Sequence, residues 1–305
     1  MPRLYHLNDG PRFLTLSHNI FPQSVVMSQT FSSPPPSVPD VLVTSPVPHV
    51  LLVTLNRPKA LNAMQREMHY RLDKLWSWFD AEPTLRVAVL TGSGRAFCAG
   101  ADLKEWNDKH KDGKAQEEPQ PLEKWNENGF GGLSNRRGKK PVIAAVNGLC
   151  LGGGMEIAIN CDMVIAHESA QFGLPETKIG VVALAGALPR LTRLVGRARA
   201  SEMAFTGRSY PPTTMLDWGV INKIVKGNVV QEALKWAGEV ANNSPDSIIV
   251  SREGIMSGWA PEDPQDATRR VEFGIYKEMD GAQNMKEGVL SFVERRKAVW
   301  RDSKL

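Results

Sequence analysis

Three glycines in a row, Gly152-Gly153-Gly154, separate a short apolar run from a stretch of helical periodicity. Without side chains the backbone can turn sharply there. A strand is therefore expected to feed directly into a helix whose first amide N–H groups have no partners within it. Val142 to Val146 reads as that strand, buried, and Gly153 to Cys161 as the helix. The alternation recurs. Val50 to Leu55 and Val87 to Thr91 are β-branched apolar strands, and Met163 to Ala166 and Ala170 to Phe172 are two more. Leu61, Met64, Met68, Leu72, Leu75 and Phe79 recur at three- and four-residue steps, the core-facing stripe of an amphipathic helix. Repeated strand-strand-helix units predict an α/β architecture. From about residue 192 the pattern turns helical, most clearly over Ala233 to Ala241 and Val289 to Val299.

Composition narrows the function classes. With 305 residues, 42% hydrophobic and 23% charged, the chain can build a real core. A net charge of +4 suits an anionic small ligand and falls well short of a nucleic-acid footprint. Cys98, Cys150 and Cys161 match no zinc spacing, and their odd number speaks against a disulfide framework. With the histidines scattered as well, no metal is expected and a reducing compartment is. No apolar run is long enough to predict a membrane span.

Pro34-Pro35-Pro36 among serines marks residues 1–45 as a flexible extension, with Met27 as an alternative start. A catalytic core is expected over residues 46–235 and a helical region over 236–305. Residues 107–128, charged and holding two prolines, read as a surface loop. Ser303-Lys304-Leu305 matches the tripeptide read by the peroxisomal import receptor, so the peroxisome is the expected location and that receptor an expected partner.

Three segments could carry chemistry. In Thr91 to Leu103 a strand runs into small residues that let backbone approach a ligand, although a tight turn would look the same. In Asn147 to Glu156 the helix start after the glycines can hold an anion or a developing oxyanion. The spacing fits neither a dinucleotide fingerprint nor a Walker loop. Glu156 falls in the first helical turn, where a carboxylate commonly just complements the dipole. In Ala170 to Glu176 an acid follows a short strand and a proline, a place where glutamates are usually solvated.

Taken in this order the segments resemble the crotonase superfamily, the enoyl-CoA hydratase and isomerase group. The match runs over Leu55 to Ala63, Phe97 to Leu103, Asn147 to Glu156, Asp162 and Gln171 to Glu176, and the likeness covers most of residues 50 to 300. It implies a crotonase-like spiral of strand-strand-helix (ββα) repeats with a helical C-terminal region that trimerises, giving a homotrimer or a dimer of trimers. It also implies an oxyanion hole from the backbone N–H groups of Ala101 and Gly153. The physics agrees: the thioester oxygen gains negative charge as Cα becomes carbanion-like, and each such donor is worth about 3 to 4 kcal/mol.

By the same resemblance, Glu156 and Glu176, 20 positions apart, are the paired acids. Glu156 would activate water and Glu176 would hand a proton to Cα, with coupled titrations. Coenzyme A, part of the substrate and no separate cofactor, would lie along Ala99, Ala101, Asp102, Leu103 and Lys104 and meet Gly153. Lys59 and Arg295 are candidates for its phosphates.

Two stretches depart from the family pattern. Gly173-Leu174-Pro175-Glu176 stands where Gly-Gln-Pro-Glu is common, and Ala183-Leu184-Ala185-Gly186-Ala187 replaces Pro-Gly-Ala-Gly-Gly. Leu174 and Leu184 are expected to line and reshape the acyl pocket. The leading expectation is an enoyl-CoA hydratase, a lyase adding water reversibly across the 2,3-double bond of an acyl-CoA. It would serve peroxisomal fatty-acid β-oxidation or secondary-metabolite acyl synthesis (siderophores or toxins). A Δ3,Δ2-enoyl-CoA isomerase, or a bifunctional enzyme, is the alternative, because Glu176 alone could shuttle a proton between C2 and C4. A non-catalytic crotonase-fold binding protein is a third reading; both acids and both hole positions argue against it, as does the lack of a basic stripe.

Overall fold

A computed structural model describes residues 30–105, 128–260 and 263–305. Met27 and residues 107–127 of the loop expected over 107–128 lie outside these residues. Six strands form one sheet, in the order Val41–Val47 (β1), Val50–Leu55 (β2), Val87–Gly92 (β3), Val142–Val146 (β5), Met163–His167 (β7) and Lys223–Val225 (β10). The first pair is antiparallel and the rest are parallel. Four shorter strands form a second sheet: Ala96–Cys98 (β4), Leu149–Leu151 (β6), Gln171–Gly173 (β8) and Ser209–Tyr210 (β9).

The chain repeatedly leaves the large sheet, crosses to the small one within a few residues and returns through a helix. This is the ββα spiral of the crotonase fold. Its helices include Arg66–Ala81 (α1), Gly153–Asn160 (α2) and Ala187–Thr206 (α3), the last kinked at Gly196. After Pro212–Asp217 (α4), Val229–Ala241 (α5) returns across the large sheet.

The continuous apolar strands follow from cover on both faces. Val87, Val89, Ile143 and Ile165 pack against Ala233 and Ala237 of α5. Ala88 and Leu90, one step along β3, face the opposite core with Leu72, Leu75 and Phe79 of α1. Side chains of a strand alternate between its faces, so an uninterrupted apolar run means two apolar neighbours.

Two expected boundaries move. Order begins before residue 45, because the segment just ahead of the prolines is tied to the end of α1. The Ser32 N–H and hydroxyl donate to Glu82 Oε2 at 2.9 and 2.6 Å, Phe31 stands edge-on to Trp78, and β1 already starts at Val41. At the other end, four helices follow: Pro245–Gly258 (α6), Pro264–Phe273 (α7), Ile275–Met279 (α8) and Gln283–Val293 (α9). The helix expected over Val289 to Val299 therefore stops at Val293. Arg295 takes a left-handed conformation (φ 54°), its N–H donates to Phe292 O at 3.2 Å, and the Arg296 N–H reaches back to Ser291 O at 3.0 Å. That is a Schellman termination, which apolar periodicity cannot reveal.

Candidate active site

Ala101 is oriented by its neighbours. The Met64 N–H donates to Gly100 O at 2.9 Å and the Asp102 N–H donates to Met64 O at 2.9 Å, a parallel bridge centred on Met64 and Ala101. Successive N–H groups of extended backbone point to opposite sides, so the Ala101 N–H points away from Met64. The glycine turn is close by: a methyl group built on Gly100 would lie 3.3 Å from the Gly153 nitrogen. Gly152 has φ +54°, which only glycine adopts cheaply, and it swings the chain from β6 into α2. Gly153 opens α2, so its N–H has no acceptor within the helix. Among the described residues neither the Ala101 nor the Gly153 N–H has a hydrogen-bond acceptor. Two amides with partial positive charge thus border one small region.

The two acids reach that region from different elements. Glu156, on the first turn of α2, is only 4% exposed, and its Oε1 accepts the Ala187 N–H at 3.2 Å. Burial pushes its carboxyl up to about 7; the negative Glu176 adds to this, while the Ala187 N–H and the nearby Arg190 pull the other way. Glu176 follows Pro175 and opens the helical turn Glu176–Ile179 after β8. One of its oxygens lies 3.3 Å from where a Cβ on Gly152 would sit, which sets the carboxylate against the glycine turn. Its other oxygen is buried with no partner among the described residues, and burial raises its pKa too. An unpartnered buried carboxylate oxygen is a costly feature, common where chemistry needs it.

Four expected residues are thus brought together: Ala101, Gly153, Glu156 and Glu176. Others are not. Ala99 donates its N–H to Leu61 O at 3.0 Å, and Leu103 and Lys104 are exposed beyond the bridge. Asp102 has its carboxylate engaged by Arg57 at 3.0 Å and by the Lys104 N–H at 3.2 Å, so it braces the segment. Lys59 is exposed on the turn Pro58–Ala60. Arg295 is exposed past the end of α9, and among the described residues no hydrogen bond or ion pair joins it to the site. Its neighbour Arg296 is held by Glu287 at 2.6 Å and Glu294 at 2.5 Å. The expectation for Leu174 and Leu184 is corrected: Leu174 is buried in the main core, and Leu184 is 78% exposed.

Several residues at the site carry no motif. Phe130 presses on Gly153, where an added methyl would fall 2.5 Å from the ring. His69 packs edge-on against Phe130, accepts the Gly131 N–H at 2.9 Å, and is kept neutral because burial lowers its pKa to about 4. Buried Ser134 accepts the Phe130 N–H and donates to Ala185 O, both at 2.7 Å, tying that turn to the loop that holds Glu156. Arg190 donates to Asn135 Oδ1 at 2.7 Å and to Gly186 O at 3.2 Å. The aromatic among glycines in Gly129-Phe130-Gly131-Gly132 is the available signal; Ser134, Ala187 and Arg190 offer none.

A ββα spiral that sets one buried and one half-buried acid beside two unpaired amides is the arrangement of an acyl-thioester enzyme of the crotonase type. The family model for enoyl-CoA hydratase/isomerase matches residues 48–303. This chain belongs to the enoyl-CoA hydratase/isomerase family, whose hydratases are lyases. It is 62% identical over 283 residues to a mevalonyl-coenzyme A hydratase of Beauveria bassiana, covering 90% of this chain and 100% of that one. A mevalonyl-coenzyme A hydratase of Aspergillus fumigatus is 45% identical over 271 residues, covering 88% and 98%. The crystal structure of an enoyl-CoA hydratase from Bacillus anthracis superposes with a TM-score of 0.75 at 30% identity, covering 87% of this chain and 100% of that one.

Proposed function

We propose that this protein interconverts mevalonyl-CoA and its 2,3-dehydrated enoyl-CoA. Similarity to the two fungal mevalonyl-coenzyme A hydratases supports the substrate. The mevalonyl group carries a hydroxyl and a methyl on C3 and a second hydroxyl on C5. Losing water across C2–C3 leaves a 3-methyl-branched 2-enoyl thioester.

The observation that carries the reading is the pairing of Glu156 with Glu176 beside the Ala101 and Gly153 amides. In dehydration the Glu176 carboxylate takes the Cα proton. The electron pair moves toward the thioester carbonyl, whose oxygen is stabilised by the two N–H groups. As the pair returns to form the double bond, the C3–O bond breaks and Glu156 gives its proton to the departing hydroxide. Hydration is the reverse, with Glu156 activating water and Glu176 supplying the proton. Burial raises the pKa of both acids, Glu156 to about 7, so the pair can hold and pass a proton near neutral pH.

The test is turnover of mevalonyl-CoA followed by enoyl-thioester absorbance and by loss of one water in the product mass. Branched 3-hydroxyacyl substrates are expected to outrun straight-chain ones. Turnover of 3-enoyl-CoA by double-bond migration alone, with no water gained or lost, would hand the protein to the isomerase reading.

Location and assembly extend the proposal. Ser303-Lys304-Leu305 supports import into the peroxisome through its receptor, and removing Leu305 from the full chain is expected to leave the enzyme in the cytosol. Val289, Phe292 and Val293, all more than half exposed on α9, support a homotrimer or dimer of trimers.

A further inference from the structure

The motif Leu55 to Ala63 supplies no group to the reaction above, yet it is built at a cost. Leu61 (φ 53°) and Asn62 (φ 57°) are consecutive non-glycine residues in left-handed backbone. Such strain persists only where the surroundings over-determine it. Here they do. Asn62 is 1% exposed; its Oδ1 accepts the Arg57 N–H at 2.9 Å, and its Nδ2 donates to Ser93 O at 3.0 Å and Ala96 O at 2.7 Å. The turn is thereby pinned to the β3–β4 corner.

The same turn brackets the segment that carries Ala101. Leu61 O accepts the Ala99 N–H, Met64 N–H donates to Gly100 O, and Met64 O accepts the Asp102 N–H. One guanidinium then closes both sides. Arg57 Nη1 donates to Ala63 O at 2.5 Å and Nη2 to Asp102 Oδ2 at 3.0 Å, with Asp40 3.5 Å from Nε. The Arg57 and Asp102 side chains are 17% and 12% exposed, so the pair is largely out of water and geometrically defined.

We infer that Arg57 and Asp102 are positioning residues for the oxyanion hole: their ion pair locks the Met64–Ala101 bridge and so fixes where the Ala101 N–H points. The proposal rests on the oxyanion reading given above. An N–H that stabilises a developing charge must be aimed before the charge appears, and a misplacement of about 1 Å can cost roughly 10²-fold in rate. Neither side chain needs to touch the substrate.

Asp102→Asn, Arg57→Met and Arg57→Lys test this in the full-length enzyme. Arg57→Lys keeps the charge without the forked donors, and it reads the same quantity if Arg57→Met does not fold. Two readouts are taken: kcat and KM for hydration of a 3-methyl-2-enoyl-CoA, and the carbonyl stretch of that thioester, carbon-13-labelled, when bound. Wild type is expected to lower the stretch on binding. Asp102→Asn and Arg57→Met should lose roughly 10- to 100-fold in kcat with KM changed by less than about 3-fold, and lose much of the carbonyl shift. The double variant should be little worse than either single one, as two residues acting as a unit require. Folded variants with a wild-type carbonyl shift, or with a defect confined to KM, would overturn the proposal alone. A wild-type enzyme that left the bound carbonyl unshifted would overturn the oxyanion reading itself.

Discussion

The ββα spiral and the C-terminal helices solve the same packing problem in opposite ways. In the spiral, Trp76, Phe79, Phe97 and Phe172 are each at most 1% exposed, closed in by strands and helices of their own chain. In the C-terminal region Phe273 is 60% exposed, Phe292 85% and Val293 71%. Exposed apolar patches of that kind are where protein interaction surfaces are commonly found. The spiral also concentrates its exceptions: Glu156 and the free oxygen of Glu176 are buried acidic groups held beside two unpaired amides. The spiral keeps its largest aromatics inside and places its irregularity at the site, whereas the C-terminal helices leave theirs on the surface.

Glu156→Gln strikes that difference hardest. Hydration and dehydration are both expected to fall by about 10² to 10⁴-fold, the usual worth of a general acid–base group. Hydration left intact with isomerisation lost would reverse the assignment. In the wild type, kcat/KM should be bell-shaped in pH, because turnover needs one proton shared by the pair; the alkaline limb should lie near 7, where Glu156 loses its proton. Next in size, Phe172→Ala should cost about 3 to 5 kcal/mol of unfolding free energy. Phe292→Ala should change the monomer's stability by no more than about 0.5 kcal/mol, both measured by denaturant titration. Equal losses would erase the contrast between the two regions.

Glu156→Gln should also change stability, with a sign set by linkage. The folded-state pKa is raised from 4.5 to about 7, so the carboxyl's contribution is fully present below 4.5 and is lost as pH rises through 7. The variant is therefore expected to be more stable than wild type by roughly 2 to 3 kcal/mol at pH 8, with the gain vanishing by pH 4. A gain independent of pH would mean that the carboxyl is not held protonated by burial. The smallest effect falls on assembly: Phe292→Asp should weaken self-association about 10-fold in sedimentation equilibrium. Wild type sedimenting only as a monomer at micromolar concentration would remove the need for a partner surface.

Much of the site is legible before any coordinates. Gly152-Gly153-Gly154 after an apolar run announces an amide-lined helix start, and Glu156 and Glu176 stand out once the motifs are read together. The bracing of the site is not legible in the same way. Asp102 looks like part of a ligand-binding loop until Arg57, 45 positions earlier, is seen to hold its carboxylate. Ala187 carries no chemical signature at all, yet its N–H reaches Glu156 across 31 positions. Leu184 reads as pocket lining but is turned outward, and Arg295 lies beyond a helix stop made by local backbone hydrogen bonds.

The amino-acid sequence alone determined the strands Val50–Leu55, Val87–Thr91, Val142–Val146 and Met163–Ala166, the core-facing stripe of α1 and the glycine turn ahead of Glu156. Those features follow from short-range periodicity and from residue types that only certain backbones or chemistries need. Tertiary structure decided which amide points where, how burial raises the pKa of both acids and which charged side chains brace a loop. These depend on desolvation and on contacts between segments tens of residues apart, quantities that no local window of sequence contains.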